Sequence, residues 1–513
     1  MDDLKFIAKS EEELQTQIQT VKTFSDDIHM EFGLEKCAKI AFKRGKLVHS
    51  QNLVIDINRE IQELEQGKTY KYLGIEESEG IQHQKMKERL KQEYNRRLRM
   101  ILKSELNARN KITAIGALAV PVLRYSFGII NWRTEEIKKI DRKTRKMLTM
   151  YKMHHPRADI DRLYVKRKEG GRGLVQIEAA YKAEIMNIAE YLNTNYKKDQ
   201  FVSIVKSQES AQPNMNSITK TAAKITEELS QPNEKSDAKQ DGIQHIKARL
   251  GESLKKKWKN KVMHGQYIRN IDRQLISEED TFLWLSKGDL KAETESEIVA
   301  AQDQALQTKY YATKILNTET DSKCRLCQQF DETIDHIISA CPILAKEQYI
   351  KRHDRVCAQL HFNICKEAGV KLDKKHWYEH VPKSVETSQG GKVTILWNQQ
   401  VQTDRTIPNN KPDIIIRDNE KGTCMLIDVA ISGDRNVIKK EAEKVLKYKD
   451  LTIEIQRMWN VKAKVIPVII GATGTISKTF RKYVSNIPGN HEVKNLQKTA
   501  ILGTAHILRK VLM

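Results

Sequence analysis

Apolar residues recur at three- and four-residue steps near the start of the chain, which is the spacing of one face of a helix. Over residues 11–32 this pattern is carried by Leu14, Ile18, Val21 and Phe24. Polar residues fill the positions between them, so the pattern predicts an amphipathic helix. Short strand-like runs follow, and residues 1–78 are therefore predicted to combine one helix with several short strands.

The middle of the chain is predicted to be mostly helical. Residues 79–200 carry helical patterns rich in basic side chains, and residues 241–320 return to the same kind of pattern. Between them, residues 201–240 are rich in Ser, Gln, Asn and Pro and poor in apolar residues. That composition predicts a flexible linker.

The last third of the chain, residues 346–513, changes repeatedly between the helical period and strand-like runs. The predicted elements are a helix over 342–366, strands over 392–401, 414–416, 424–428 and 464–471, and helices over 435–459 and 493–512. This order predicts an α/β core in which three antiparallel strands lie between helices. The fold class expected for the whole chain is multidomain α+β.

Chain length, net charge and cysteine count limit the number of domains, the kinds of partner and the compartment that are expected. The 513 residues are enough for two to four domains, and the formal net charge of +22 favours a polyanionic partner, most simply nucleic acid. The sequence has no apolar run of about 18 residues, so no membrane span is predicted. Seven cysteines, an odd number, favour metal ligation in a reducing, intracellular compartment over a disulfide framework.

Three cysteines and one histidine fall within residues 321–345. Their spacing is Cys324-x2-Cys327-x8-His336-x4-Cys341. Three thiolates with one imidazole can close a tetrahedral Zn²⁺ site, and a site made only of protein ligands is structural. The spacing therefore predicts a structural zinc knuckle.

Two aspartates lie on adjacent strands that a turn-like segment joins. Asp413 begins one apolar run, and Asp428 follows the next one after fourteen intervening residues. Antiparallel pairing would bring both carboxylates to the same end of a hairpin, where neighbouring strands are about 5 Å apart. Because side chains alternate along a strand, Asp428 shares a face with Leu426 and Cys424 and is predicted to be buried. A hard cation such as Mg²⁺ is one partner for such a carboxylate pair, and a nearby lysine would offset charge on a phosphate.

The Pro412-Asp413 and Asp428 pattern resembles the PD-(D/E)xK restriction-like endonucleases. It is most similar to the version at the carboxyl end of site-specific non-LTR retrotransposon polyproteins. The usual lysine, two residues after the second acid, is Ala430 here. The retrotransposon branch carries that lysine on the following helix with a tyrosine after it.

This resemblance implies a catalytic lysine on the predicted helix 435–459. Lys444 and Tyr448 are four residues apart and therefore lie on one face of this helix. Lys447 lies about 100° around such a helix from its neighbour Tyr448. Lys444 is therefore preferred, and Lys447 remains the alternative.

The amino-terminal residues resemble the end of a reverse transcriptase palm. Asp2 and Asp3 resemble the end of the catalytic Tyr-x-Asp-Asp hairpin, Lys39 the lysine of the next motif, and Tyr72-Leu73-Gly74 the primer-grip turn. Cys37 replaces the asparagine usual in the lysine motif. The resemblance implies that the fingers and a further palm aspartate would lie before Met1, so the chain alone is not expected to polymerise. Residues 79–200 resemble the thumb that follows the palm.

Basic side chains on the predicted helices are candidates for phosphate contacts. They comprise Arg96, Arg97, Arg99, Lys138, Arg142, Lys143, Arg145, Lys146, Lys255, Lys256 and Lys257. Cations of this kind suit backbone phosphates rather than base edges. For Lys255 to Lys257, a nuclear-import signal and a solvated helix surface remain alternatives.

The resemblance implies a nuclear retroelement protein that nicks DNA with Mg²⁺ or Mn²⁺. Target DNA and the element's RNA are the expected partners, and no small-molecule ligand is expected. The nick would provide the 3′ hydroxyl that primes reverse transcription. The alternative is a catalytically inactive remnant that only binds nucleic acid, and a third class, a metal-stabilised protein scaffold, fits the net charge poorly.

Overall fold

A computed structural model of the chain describes residues 4–65, 67–211, 217–229, 243–271 and 274–512. The fold is mixed α/β, which agrees with the general class predicted from the sequence. Among the described residues, no helix is both long and apolar enough to cross a membrane.

The chain forms two compact units, and each is assembled from separate stretches of sequence. The first unit comprises Met1–Arg97, Pro121–Ile137 and Glu184–Ile225. The second comprises Leu98–Val120, Lys138–Ala183 and Thr226–Met513. The predicted thumb, residues 79–200, therefore contributes to both units.

Helices dominate the described residues. In chain order they are α1 Glu11–Asp27, α2 His83–Lys103, α3 Ala108–Ala114, α4 Val120–Arg124, α5 Thr134–Met150, α6 Ile160–Tyr164, α7 Ile177–Asn195, α8 Gln200–Ala211, α9 Ile218–Leu229, α10 Ile243–Asn260, α11 Gln266–Ile271, α12 Glu278–Thr281, α13 Leu283–Ser286, α14 Ala292–Gln302, α15 Lys309–Tyr311, α16 Ile334–Ser339, α17 Pro342–Ala345, α18 Gln348–Glu367, α19 Val437–Lys447, α20 Lys449–Trp459, α21 Phe480–Val484 and α22 Val493–Leu512. The closing helix α22 has the bounds that the sequence pattern predicted.

The strands form three separate two-stranded hairpins and one larger sheet. They are β1 Ala41–Lys43, β2 Lys46–Val48, β3 Leu53–Asp56, β4 Arg59–Ile61, β5 Tyr70–Tyr72, β6 Ile75–Glu77, β7 Val385–Thr387, β8 Val393–Trp397, β9 Ile414–Asp418, β10 Thr423–Ser432 and β11 Lys462–Gly471. The hairpins pair β1 with β2, β3 with β4 and β5 with β6, all antiparallel.

In the first unit, α1 packs on the hairpin of β3 and β4. Ile18 from the helix is buried against Leu53, Ile55 and Ile61 of the strands. Ile18 belongs to the apolar stripe that predicted this helix. The helix ends at Asp27, five residues before the predicted limit of residue 32.

Two helices lie within residues 201–240, which were predicted to be a flexible linker. Helices α8 and α9 cover most of the described part of this range, so the prediction is wrong there. A polar segment can still form a helix when its few apolar residues share one face. In α9, Ala222 and Ile225 are three residues apart and both are buried. Residues 212–216 and 230–240 lie outside the described part of the chain.

The larger sheet belongs to the second unit and has the strand order β11-β10-β9-β8-β7. The antiparallel arrangement predicted for β8, β9 and β10 is confirmed. Strand β11 pairs with β10 in parallel, because α19 and α20 form the crossover between them. The short edge strand β7 has no counterpart in the prediction.

Both faces of this sheet are covered by helices. Alternate residues of β9 point to opposite faces, with Ile414 and Ile416 packing among residues of α18 and α22, and Ile415 packing beneath α20. The region predicted as one helix over 342–366 contains two helices, α17 and α18. Helix α22 also joins a third core that contains the predicted knuckle cysteines.

Candidate functional site

The hairpin of β9 and β10 brings Asp413 and Asp428 to the same end, as predicted. The last register pair of the two strands is Ile414 with Ile427, so the two aspartates are the next residues beyond it. One carboxylate oxygen of Asp413, Oδ2, accepts a hydrogen bond from the main-chain nitrogen of Val429 at 2.7 Å. The two acids therefore form one cluster.

Asp428 is buried, with only 2 % of its surface exposed. It lies on the face of β10 that carries Leu426 and Cys424, as strand alternation predicted. The hydroxyl of Tyr448 donates to its Oδ1 at 2.8 Å, and the ammonium group of Lys444 forms an ion pair with its Oδ2. Burial first, and then the adjacent carboxylate of Asp428, raise the pKa of Tyr448, which remains a neutral donor.

The helix predicted over 435–459 is interrupted at Tyr448, and in this respect the prediction is wrong. Tyr448 has φ −105° and ψ 12°, and it separates α19 from α20. The hydroxyl of Tyr448 lies 3.0 Å from the main-chain oxygen of Lys411 and directly contacts Asp428. These buried contacts hold the tyrosine at the junction, where its side chain reaches the sheet.

Both candidate lysines reach Asp428. The ammonium group of Lys447 is 3.8 Å from Oδ1 of Asp428 and donates to the hydroxyl of Tyr448 at 2.8 Å. Lys444 contacts Oδ2 directly, and that oxygen accepts no well-oriented hydrogen bond from the described residues. The ion pair therefore leaves lone pairs on this oxygen that a cation can use.

His353 of α18 contacts Asp413, and sequence reasoning missed this contact. Nε2 of its imidazole is 3.2 Å from Oδ2 of Asp413, although sixty residues separate them in the chain. Burial would raise the pKa of Asp413, but hydrogen bonds from His353 and Val429 and the charge of Lys444 lower it overall.

The four predicted zinc ligands converge. The ligand atoms of Cys324, Cys327, His336 and Cys341 all lie within 4.8 Å of one another. Sγ of Cys327 is 3.4 Å from Nε2 of His336, and Zn–S and Zn–N bonds in a tetrahedron would place these atoms about 3.6 Å apart. The cluster could therefore hold a metal ion such as zinc.

Local structure fixes the geometry of this knuckle. His336 lies in the first turn of α16, which Thr333 caps by accepting the amide hydrogen of His336 at 3.1 Å. Cys341 is the N-cap residue of α17, with proline at the next position. Burial would raise the pKa of the Cys327 thiol, but hydrogen bonds from the main-chain N–H groups of Gln329 and Phe330 help to lower it overall. Such donors stabilise a metal-bound thiolate.

A glycine-containing loop at residues 471–475 encloses a carboxylate. Within this loop, the hydroxyl and main-chain N–H groups of Thr473 and Thr475 all donate to the carboxylate of Asp434. Asp434 therefore occupies the positions that an external anion would take.

The residues that resemble a polymerase are described only in part. Asp2 and Asp3 lie outside the described residues. Lys39 is buried, where its ammonium group contacts Glu11 and donates to the main-chain oxygen of Gln51 at 2.8 Å. This pairing leaves Lys39 little freedom to contact a nucleotide.

The predicted primer-grip turn is a tight turn between β5 and β6. Leu73 and Gly74 both have positive φ, 46° and 81°, as a two-residue hairpin turn requires. The hydroxyl of Tyr125 donates to the main-chain oxygen of Leu73 at 2.8 Å. Tyr72 ends the preceding strand β5.

The predicted phosphate contacts are distributed over α2, α5 and α10. Arg96 and Arg97 form ion pairs with Glu93. Arg145 is half-buried and donates to the hydroxyl of Tyr164 at 2.7 Å. Lys255 pairs with Glu278 at 2.6 Å.

Other members of the set have different exposures. Lys138 is half-buried, and the exposed members are Arg99, Arg142, Lys143, Lys146, Lys256 and Lys257. Trp258, which follows this last lysine run, is fully buried and is not a stacking surface for a base.

Neither a scan against protein-family models nor a search of curated proteins finds a match for this chain. The geometry of the described side chains is therefore the basis for assigning a function. That geometry contains one carboxylate cluster with lysine, tyrosine and histidine neighbours, and one cysteine-rich knuckle.

Proposed function

We propose that the chain is a metal-dependent DNA endonuclease of retroelement origin. The observation that carries the proposal is the cluster at the end of the β9–β10 hairpin. There Asp428 contacts Lys444 and Tyr448, and Asp413 accepts a hydrogen bond from the residue after Asp428. Two carboxylates that hold a metal ion, with a lysine beside them, can catalyse cleavage of a phosphodiester. The sequence resemblance to non-LTR retrotransposon endonucleases supplies the choice of DNA.

Asp413 and Asp428 fit a hard divalent cation. Mg²⁺ is commonly held by one or two carboxylates together with phosphate oxygens and water. Oδ2 of Asp428 accepts no well-oriented hydrogen bond from the part of the chain that is described, and it faces a single ammonium group. When bound, Mg²⁺ or Mn²⁺ would supply an activated water and offset the charge that develops on the phosphate.

The neighbouring side chains hold Asp428 in position and neutralise negative charge on the phosphate. In the proposed reaction, the oxygen of water forms a bond to phosphorus and the bond from phosphorus to O3′ breaks. The products are a 5′ phosphate and the 3′ hydroxyl that would prime reverse transcription. Lys444 is placed to stabilise the charged phosphate oxygens. Tyr448 holds Asp428 through its hydroxyl hydrogen bond of 2.8 Å.

The remaining parts of the chain fit binding of nucleic acid. A zinc-loaded knuckle would be structural, because Cys324 and Cys341 are fully buried and all four ligands come from the protein. The exposed cations of α5 and the net charge of +22 favour contacts with the phosphates of target DNA and element RNA. A nuclear location follows from this proposed role.

Nicking of supercoiled plasmid by the full chain tests the proposal. We expect conversion to open circles with Mg²⁺ or Mn²⁺ and no conversion when EDTA removes the divalent ions. Ends with a 3′ hydroxyl should then support extension by an added DNA polymerase. DNA binding without nicking under any of these metal conditions would instead favour the inactive nucleic-acid-binding remnant.

The two lysines should differ in their effect on this reaction. We expect Lys444→Met to lower the nicking rate by about 10²-fold or more, because Lys444 contacts Oδ2 of Asp428 directly. Lys447→Met should cost less than about tenfold, because Lys447 lies 3.8 Å away and donates to Tyr448. Single-turnover nicking rates measure both effects.

Lys439→Met is the matched control for these variants. It removes an exposed lysine of the same helix whose carboxylate neighbour is Glu443 at 3.9 Å. Its nicking rate should equal that of the parent chain. A larger loss in Lys447→Met than in Lys444→Met would contradict the assignment of Lys444.

Binding to DNA should fall steeply with salt concentration. Arg142, Lys143 and Lys146 are exposed on α5, and each phosphate contact contributes about 0.9 to the slope of log affinity against log salt. Changing all three to alanine should lower that slope by about 2 to 3. Fluorescence anisotropy with labelled duplex DNA at several salt concentrations measures the slope.

A second triple variant is the control, because it changes the net charge by the same amount as the α5 variant. Lys371, Lys374 and Lys375 are also exposed. Their replacement with alanine should change the slope by less than about 0.9, which is the contribution of one phosphate contact. Equal slopes for the two triple variants would mean that α5 binds DNA no more than any other basic surface.

A further inference from the structure

One face of α18 carries a histidine and a cysteine beside Asp413. His353 and Cys357 are one helical turn apart, and Sγ of Cys357 lies 3.6 Å from Nε2 of His353. Nε2 in turn lies 3.2 Å from Oδ2 of Asp413. The ligand atoms of these three residues are all within 4.8 Å of one another, as in the knuckle.

A fourth residue sets the orientation of the imidazole. Oδ1 of Asp354 lies 3.0 Å from Nδ1 of His353, which favours a proton on Nδ1. A carboxylate that holds one ring nitrogen while the other faces a metal is the usual second contact of a ligating histidine. This arrangement directs the lone pair of Nε2 away from Asp354.

Three electron-rich atoms then converge at the same place. Nε2 of His353 lies 3.2 Å from Oδ2 of Asp413 and also 3.2 Å from the main-chain oxygen of Val429. In the metal-free chain, an N–H group at Nε2 donates to these oxygens. A metal ion bound to Nε2 would replace that proton and lie between the same atoms.

Two of the distances among these atoms are close to those of a tetrahedral metal site. Zn–N and Zn–O bonds of about 2.0 Å place their ligand atoms about 3.3 Å apart, and a Zn–S bond of about 2.3 Å places sulfur about 3.6 Å from nitrogen. The observed values are 3.2 Å and 3.6 Å. Sγ of Cys357 is also 3.7 Å from Nδ1, so it is almost equally far from the two ring nitrogens. The imidazole must therefore rotate about its Cβ–Cγ bond before Nε2 and the sulfur can bind the same metal ion.

We propose that His353, Cys357 and Asp413 form a second transition-metal site, which takes ions of the zinc class. Imidazole and thiolate ligands favour Zn²⁺ and Co²⁺, whereas Mg²⁺ favours oxygen. Metal binding itself does not depend on the nuclease function. The regulatory consequence rests on that proposed function: Zn²⁺ held through His353 takes Asp413 from the hydrolytic ion, so excess Zn²⁺ inhibits nicking.

Titration with Co²⁺ tests the site directly. The chain is first prepared with one equivalent of Zn²⁺ in the knuckle, as established by elemental analysis. Co²⁺ is then added while visible and near-ultraviolet absorption is recorded. We expect one further equivalent to bind with a tetrahedral d–d spectrum and a thiolate charge-transfer band. His353→Asn and Asp413→Asn should lose this second equivalent, and Cys357→Ser should lose the charge-transfer band.

Cys365→Ser is the matched control on the same helix. Cys365 is also fully buried, and its sulfur lies 3.6 Å from Nδ1 of His361 one turn earlier, but no carboxylate of the described residues completes a ligand group with this pair. The variant should bind the second equivalent as the parent does. No second equivalent in the parent, or its persistence in His353→Asn, would overturn the proposal.

Nicking assays separate the two proposals. With Mg²⁺ present, we expect Zn²⁺ beyond one equivalent to lower the nicking rate of the parent at least tenfold. This inhibition should be weaker in His353→Asn and in Cys357→Ser than in the parent. A chain that binds the second Co²⁺ but never nicks would overturn the nuclease function alone, and a chain that nicks but binds no second Co²⁺ would overturn the metal site alone.

Discussion

Replacing Asp428 with asparagine is expected to abolish nicking, with a rate loss of about 10²–10³-fold or more. The substitution preserves size but removes the negative charge that a hard cation requires. Asp428 is 2 % exposed and faces Lys444, so no other solvent-facing group can replace its carboxylate at that position. Single-turnover nicking with Mg²⁺ measures the loss, and DNA affinity should be unchanged.

A loss of folding must be distinguished from a loss of chemistry. Asp428→Asn leaves the ammonium group of Lys444 beside a neutral amide, which should lower the free energy of unfolding by about 1–3 kcal/mol. The double variant Asp428→Asn with Lys444→Met removes that uncompensated charge and should recover stability. It should not recover nicking, because the second carboxylate is still absent.

Asp418→Asn is the control from the same hairpin. Asp418 ends β9 opposite Thr423, at the far end of the strands from Asp413, and pairs with Lys421 on the surface. The identical chemical change should therefore leave nicking as it is in the parent. Nicking by Asp428→Asn at the parental rate would refute the proposed centre.

The hairpin could be predicted because its information is local. Two apolar runs joined by a short turn-like segment predicted the hairpin, and antiparallel pairing across that turn placed Asp413 and Asp428 at the same end. The closing helix α22 was also predictable from its apolar period, and its bounds agree with the prediction. The zinc-ligand cluster was predictable because its four members fall within 18 residues.

Other features depend on tertiary contacts that local patterns do not contain. No glycine or proline marks the break at Tyr448, whose conformation is fixed by buried contacts with Asp428 and Lys411. His353 meets Asp413 only because α18 packs across the sheet. The four-residue repeat of His353, Cys357, His361 and Cys365 along α18 was the one available signal.

Removal of zinc from the knuckle is expected to unfold much of the second unit. Cys324 and Cys341 are fully buried in the same core as Ile501 and Leu508 of α22, so the knuckle is part of that core. Structural zinc contributes about 10–16 kcal/mol in small zinc domains, which is comparable to the whole stability of a typical domain, about 5–15 kcal/mol. Thermal unfolding followed by circular dichroism should show a large drop in midpoint after chelation and recovery when zinc is restored.

Substitutions of two buried cysteines separate loss of zinc from loss of packing. Cys341→Ser removes a knuckle ligand, whereas Cys365→Ser removes an equally buried sulfur of α18 that lies outside the knuckle. We expect Cys341→Ser to lose one zinc equivalent and to unfold at a temperature close to that of the chelated parent. Cys365→Ser should keep its zinc and lose only the small packing contribution of one sulfur atom. Equal midpoints and equal zinc contents for the two variants would show that Cys341 does not bind a structural metal ion. If the prediction holds, the second unit that carries the proposed nuclease centre is folded only in its zinc-bound form, and every nicking assay requires zinc in the knuckle as well as Mg²⁺ at Asp413 and Asp428.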